Sequence, residues 1–421
     1  MNAFDKVIGY EPIKNELLQI CDMIRNREVY YALGAKMPRG VLLYGEPGLG
    51  KTLMAECFID ECGLKAYILR RNKGADRFVD AITDIFQKAK DNAPSIVLLD
   101  DLDKYANGDD AHRDAKEYVA VQAGIDDVKD ADVFVFATVN DYCKLPRSLR
   151  RSGRFDRKIE ILCPSSEDAS EIIRHYLKDK KVSEDIDPID IAMMIQNNSC
   201  AELETVLNEA AIRAAFLRKE SITMDDVIYA VLRMEYDTPD SFEKPSEDQL
   251  RRVALHEAGH LVICEVLCPG SIGMASLYSL GKDSACGFVR RCRNLEKDPD
   301  YILAALGGKA AVDLYYADSF DDGWKSDLCK AAGQIKEELF RKGSGGMGLL
   351  DLEMESESLN ARREAVVFAE LERYLFKAKD ILLKNRDFLE QVADALMEKE
   401  TLLYSDIKQL RESVPVTVAA V

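Results

Sequence analysis

The sequence predicts two joined architectures, a doubly wound parallel α/β sheet in the first half and a mainly α-helical domain in the second. Three observations carry this. Short apolar runs without alternation, such as Ser95–Leu99 and Val133–Thr138, alternate with helical stretches, the pattern of strands buried on both faces. A glycine-rich loop ending in Lys51-Thr52 stands between the first such strand and a helix. Later, His256-Glu257-Ala258-Gly259-His260 lies inside Leu250–Leu267, whose apolar residues Val253, Ala254, Leu261, Val262 and Val266 recur at helical spacing.

The 421 residues suffice for two or three domains with full cores. A formal net charge of −18 argues against a nucleic-acid partner and against docking on anionic lipid. The 11 cysteines are odd in number, scattered and without a C-x-x-C pair. That pattern fits thiols packed in a reducing cytoplasm, and Cys264 and Cys268 are read as packing residues. Met1–Lys6 shows no signal peptide. The longest uncharged stretch, Val266–Gly281, is too short for a membrane span and contains Pro269, Gly270 and Gly273. The chain as given is therefore read as soluble.

Gly40–Tyr44 reads as a buried strand, followed at once by Gly45-Glu46-Pro47-Gly48-Leu49-Gly50-Lys51-Thr52 and Leu53. This is G-x-x-x-x-G-K-T between strand and helix, where backbone N–H groups close around phosphates at a helix N-terminus. Lys51 then reaches the outer phosphates and Thr52 holds Mg²⁺. Lys65–Leu69 is a second strand, and Asp76–Asp91 a helix. Ser95–Leu99 ends in Asp100, suited to the Mg²⁺ shell, and Asp101, suited to orienting an attacking water. Val133–Thr138 leads to Asn140, placed to sense the outermost phosphate. The basic run Leu149–Lys158 reads on charge alone as a solvated turn. Residues 1–165 thus form the nucleotide-binding part, 166–237 a helical lid, and 238–247, with Pro239 and Pro245, a linker.

Residues 248–413 hold the histidine motif. Histidines four apart on a helix share a face, so His256 and His260 can bind one metal ion, zinc by preference. Glu257 lies where a general base is needed. A zinc ion needs a further protein ligand, and no histidine follows His260, so the third must be a carboxylate or thiolate; composition does not choose it. Asp300–Asp313, Lys325–Lys342, Tyr374–Lys384 and Arg386–Glu398 read as helices. The tail, 414–421, reads as frayed.

Cradle first and H-E-x-x-H second, the chain resembles the FtsH-type AAA+ zinc metalloproteases from about Phe4 to about Ser413. Supporting stretches are Met37–Leu43, Leu145–Arg157 ending in Gly-Arg-Phe-Asp-Arg, Leu207–Ala211, Leu306–Ala311 and Lys399–Leu402. The resemblance implies an α/β P-loop AAA+ ATPase with a helical lid, then a zinc metallopeptidase. It implies ATP, Mg²⁺ and Zn²⁺ as cofactors, polypeptides as substrates to unfold and degrade, and a homo-oligomeric, hexameric ring. Asp327, in Ser326-Asp327-Leu328, stands where the family has its third zinc ligand. Arg154 and Arg157 match arginine fingers that reach a neighbouring subunit's nucleotide. Ile8 and Gly9 fall at the adenine pocket, and His175 near a nucleotide-approaching histidine.

Three departures stand out. Relatives carry transmembrane helices before the ATPase; this chain has no span, so membrane association would need a further region or a partner. Asp101 replaces a glutamate and retracts the carboxylate by about one bond length, which predicts slower hydrolysis. Arg70-Arg71-Asn72-Lys73-Gly74 replaces an aromatic pore loop, predicting a basic pore lining. An ATP-dependent remodelling or scaffold ring with weak peptidase activity is the alternative reading, against which the complete metal motif counts.

Overall fold

The apolar runs of the first half become the strands of one parallel sheet. The computed structural model describes residues 2–71, 75–106, 115–151, 153–236, 246–277, 287–295, 297–316, 324–341 and 357–417. In chain order the elements are α1 (Glu11–Arg25), α2 (Arg27–Ala32), β1 (Gly40–Tyr44), α3 (Lys51–Cys62), β2 (Lys65–Leu69) and α4 (Ala75–Asp91). Next come β3 (Ser95–Leu99), α5 (Ala115–Asp127), β4 (Val133–Val139), β5 (Arg157–Glu160) and α6 (Ser166–Leu177). The sheet order is β2-β3-β4-β1-β5, all parallel, so the ends of β1, β3 and β4 come together beside the glycine-rich loop. Phe58 of α3 packs on Phe134 and Phe136 of β4 at ring separations of 5.5 and 4.8 Å. The expected strands are all present. The short edge strand β5 has no counterpart among the expected strands, because its pattern is too brief to betray pairing.

The remaining elements are α7 (Pro188–Met194), α8 (Cys200–Phe216), α9 (Met224–Tyr236), α10 (Glu247–Leu267), β6 (Ile272–Ser276), β7 (Phe288–Arg291), α11 (Asp298–Tyr315) and α12 (Lys325–Lys336). They are followed by α13 (Glu357–Lys384), α14 (Arg386–Lys399), β8 (Thr401–Leu403) and α15 (Tyr404–Ser413). By compactness the chain divides into Met1–Asp179 with Asn197–Thr205, and Lys180–Gln196 with Val206–Val421. The stretch expected as a lid is shared between these two units. Residues 238–245 of the expected linker lie outside the described residues, whereas Ser246 caps α10 in a capping box with Gln249.

In the second unit, α10 and α11 cross at two glycines. A Cβ on Gly259 would stand 2.3 Å from the Gly307 carbonyl oxygen, so no larger residue permits this approach. Around the crossing, Ala258, Leu261, Val262, Leu303, Leu306 and Ala310 are buried with Leu382, Leu389 and Val392 of α13 and α14. Full burial of such side chains stabilises by about 1.5–3 kcal/mol each. After α10 the buried Glu265 carboxylate accepts the N–H groups of Gly270, Ser271 and Ile272 at 2.8, 2.9 and 3.1 Å, turning the chain into β6. The helical reading of this half missed the antiparallel sheet β7-β6-β8.

Two helix bounds also move. The α-helix of α12 stops at Lys336 and continues as a π-helical turn over Glu337–Arg341. α13 begins at Glu357, well before the expected Tyr374. The expected fraying of the tail does not hold for its start: Thr417 donates its N–H to Asn385 Oδ1 at 2.7 Å, and Val414 and Val416 pack on the core. Residues 418–421 lie outside the described residues. No described helix is long and apolar enough to cross a membrane.

Candidate functional site

At the metal motif, α10 places His256 and His260 one turn apart, with rings 4.7 Å between centroids. Their Nε2 atoms are 3.0 Å apart, and Asp327 Oδ2 from the first turn of α12 is 3.2 Å from one and 3.1 Å from the other. In a tetrahedral zinc site with ~2.0–2.1 Å bonds, ligand atoms stand about 3.3–3.4 Å apart. The three donors therefore fit one face of such a site, with a fourth position open. His260 Nδ1–H donates to the Ala304 carbonyl of α11 at 2.7 Å, which leaves Nε2 to face the metal. Lys330 donates to the outer oxygen of Asp327 at 3.1 Å.

Glu257 is 5% exposed beside this niche. Burial pushes its carboxyl up to about 8, with the Asp327 charge adding and His260 opposing. For Asp327 burial also raises, but its close contacts with the His256 and His260 rings and the Lys330 charge win and hold its carboxyl well below the usual range. Sequence reading missed Gly308. A Cβ there would lie 2.5–2.6 Å from His256 Cε1 and Nε2 and from His260 Nε2. Its only signal was the pair Gly307-Gly308 inside an otherwise good helix. Gly308→Ala is expected to push both rings aside and weaken zinc affinity at least about tenfold, read by competition with a chelating dye. Unchanged affinity would show that the rings yield without cost.

In the nucleotide-binding unit, the loop from Gly45 to Thr52 joins β1 to α3, with Leu49 buried and Glu46, Pro47 and Leu53 reaching towards solvent. Lys51, 6% exposed, donates from Nζ to the carbonyls of Gly45 at 2.8 Å and Glu46 at 2.6 Å. Burial pulls its ammonium below the usual range, against the pull of Asp101, Asp103, Asp100 and Glu46. Thr52 Oγ1 donates to Asp100 Oδ1 at 3.1 Å, which joins the two expected Mg²⁺ ligands. Thr138, the penultimate residue of β4, donates to the same oxygen at 2.7 Å and accepts the Asp101 N–H at 2.9 Å. Asn140 Nδ2 donates to Asp101 Oδ1 at 3.1 Å, and Lys104 to Asp101 Oδ2 at 2.6 Å. Asp103 accepts the Asn140 N–H at 3.1 Å. Thr138 and Asp103 escaped sequence reading; a lone threonine in an apolar strand was the one available sign.

Ile8 and Gly9 are held by α6: Asp168 Oδ1 accepts the Tyr10 N–H at 3.2 Å, and Gly9 packs directly on that side chain. The Ala201 N–H of α8 donates to the Gly48 carbonyl at 3.2 Å. His175 sits exposed in the last turn of α6, its ring edge-on to Tyr176 at 5.9 Å. Arg157 opens β5 at the sheet edge, about half exposed and 4.0 Å from Glu16. Arg154 is turned inward instead, with Nε and Nη2 on the two Asp126 oxygens at 3.2 and 2.7 Å. Of the expected basic pore segment, residues 72–74 lie outside the described residues. Arg70 and Arg71 are both exposed, with Arg70 Nε on Asp100 Oδ2 at 2.8 Å and Arg71 Nη1 on the Lys104 carbonyl at 2.5 Å.

One chain thus combines a phosphate-binding α/β sheet with a two-histidine, one-aspartate niche beside a buried glutamate, which defines a P-loop ATPase joined to a metallopeptidase. Residues 41–162 match the ATPase family associated with various cellular activities (AAA). An ATP-dependent zinc metalloprotease FtsH 3 of Symbiobacterium thermophilum is 29% identical over 98% of this chain and 71% of its own length. An FtsH 2 of Sphaerobacter thermophilus is 30% identical, over 97% of this chain and 66% of its own. An FtsH of Thermus thermophilus is 29% identical over 98% and 71%. The chain belongs to the FtsH-type AAA+ zinc metalloproteases.

Proposed function

We propose that the chain is an ATP-dependent zinc endopeptidase that unfolds and degrades polypeptides as a homo-oligomeric, hexameric ring in the cytoplasm. The observation that carries the reading is the meeting of His256, His260 and Asp327 within hydrogen-bond distance of one another beside Glu257. These three residues hold the zinc, which when bound polarises a peptide carbonyl and acidifies water. Glu257 takes the proton from the attacking water at its carboxylate and passes it to the leaving amine. Lys51 and the loop N–H groups bind the ATP phosphates, Thr52 and Asp100 hold Mg²⁺, and Asp101 with Asn140 orients the hydrolytic water. Arg157, exposed at the sheet edge, is the residue free to act on a neighbouring subunit, while Arg154 braces the same turn through Asp126.

The test is degradation of an unfolded protein such as casein, with and without ATP and with and without a zinc chelator. Cleavage that requires both ATP and zinc is expected. ATP hydrolysis without any cleavage would replace this reading by a remodelling ring.

A further inference from the structure

Three carboxylates, Asp100, Asp101 and Asp103, crowd the end of β3, and each has a different means of compensation. Asp103 accepts two backbone N–H groups, and Asp101 has Asn140 and Lys104. Asp100, 5% exposed, has Thr52 and Thr138 on Oδ1, and on Oδ2 it has a full positive charge, Arg70 Nε at 2.8 Å. The Arg70 guanidinium also reaches Glu56 of α3 at 3.6 Å. Its backbone is fixed close by, since the Leu69 carbonyl at the end of β2 accepts the Asp100 N–H at 3.0 Å.

We propose that Arg70 is a resident counter-cation that competes with Mg²⁺ for Asp100. The inference rests on the reading that Thr52 and Asp100 hold Mg²⁺. Without a divalent ion, a buried carboxylate with two hydroxyl donors alone is under-compensated, and Arg70 supplies the missing charge. When Mg²⁺ comes to Thr52 and Asp100, the same carboxylate faces both cations, one on each oxygen. The repulsion between them lowers the affinity for Mg²⁺ and favours withdrawal of the half-exposed guanidinium towards Glu56. Arg70 is a positioning residue on this account; it sets the charge that the ion meets and touches no reacting atom.

The experiment is a Mg²⁺ titration of the binding of a fluorescent ADP analogue to the full chain, at equilibrium and without turnover. Arg70→Gln is expected to lower the Mg²⁺ concentration for half-maximal binding about fivefold, the scale of one partly exposed ion pair. A merely structural role for Arg70 would shift melting temperature and leave that half-point in place. An unmoved or raised half-point overturns the inference. Should Arg70→Gln fail to fold, Arg70→Lys serves in its place. Its shorter, point-like ammonium cannot match the guanidinium's hold on Oδ2, so a smaller shift in the same direction is expected, and no shift overturns the proposal. Failure of the parent chain to bind nucleotide at any Mg²⁺ concentration overturns the nucleotide-site reading as well. Binding with an unmoved half-point overturns only the role of Arg70.

Discussion

Glu257→Gln is expected to keep about one zinc per chain and to lose cleavage of unfolded casein by about 10²–10⁴-fold, the range carried by a positioned general base. The amide has the shape of the carboxylate, so the niche, where Glu257 is 5% exposed and packed close to Gly287, keeps its packing. The three donor atoms that converge belong to His256, His260 and Asp327, so the substitution removes no ligand. What disappears is the group that accepts a proton, because an amide cannot. Metal analysis and a fluorogenic casein assay on the same preparation check both halves. Retained zinc with cleavage within tenfold of the parent would mean that another group carries the proton. Lost zinc would mean that Glu257 supports the ligand set itself.

Lys51→Ala is expected to weaken nucleotide binding by about 100-fold or more and to abolish measurable ATP hydrolysis. Hydrogen bonds to a charged group contribute about 1.5–3 kcal/mol, and each 1.4 kcal/mol is tenfold in affinity. The Lys51 ammonium is buried and held over the loop by the Gly45 and Glu46 carbonyls, so it is already placed for an incoming phosphate. Removing it leaves the carboxylates that act on it, Asp101, Asp103, Asp100 and Glu46, without that ammonium to offset their repulsion of phosphate. Equilibrium binding of the fluorescent ADP analogue measures the loss. Affinity within threefold of the parent would show that the loop N–H groups and Mg²⁺ suffice, and that Lys51 acts elsewhere in the cycle.

Both motifs were legible from sequence because each is contiguous. Helical pitch alone brings His256 over His260, and a strand–loop–helix segment alone builds the phosphate cradle. Asp327 lies 71 residues beyond His256, and no local pattern singled it out. Family resemblance suggested it, and the folded chain brings its carboxylate to the two rings. The sheet β7-β6-β8 left little trace, since strands of three to five residues form by pairing with one another rather than by periodicity. The partners of Arg70 and Arg71 were illegible for a related reason, because a basic run does not show which distant groups, here the Asp100 carboxylate and the Lys104 carbonyl, fold against it.

By itself the sequence determined the two chemistries and the helices and strands that carry them, because spacing along a regular backbone fixes which side chains share a face. Only the tertiary structure decided which distant groups meet at each site: Asp327 and Gly308 at the two histidines, Thr138 and Arg70 at the Asp100 carboxylate. Those choices depend on how α11 crosses α10 at paired glycines and on which strands are neighbours in the sheet. Such contacts join residues far apart in the chain, and their energy is set by close packing and charge compensation rather than by any local pattern.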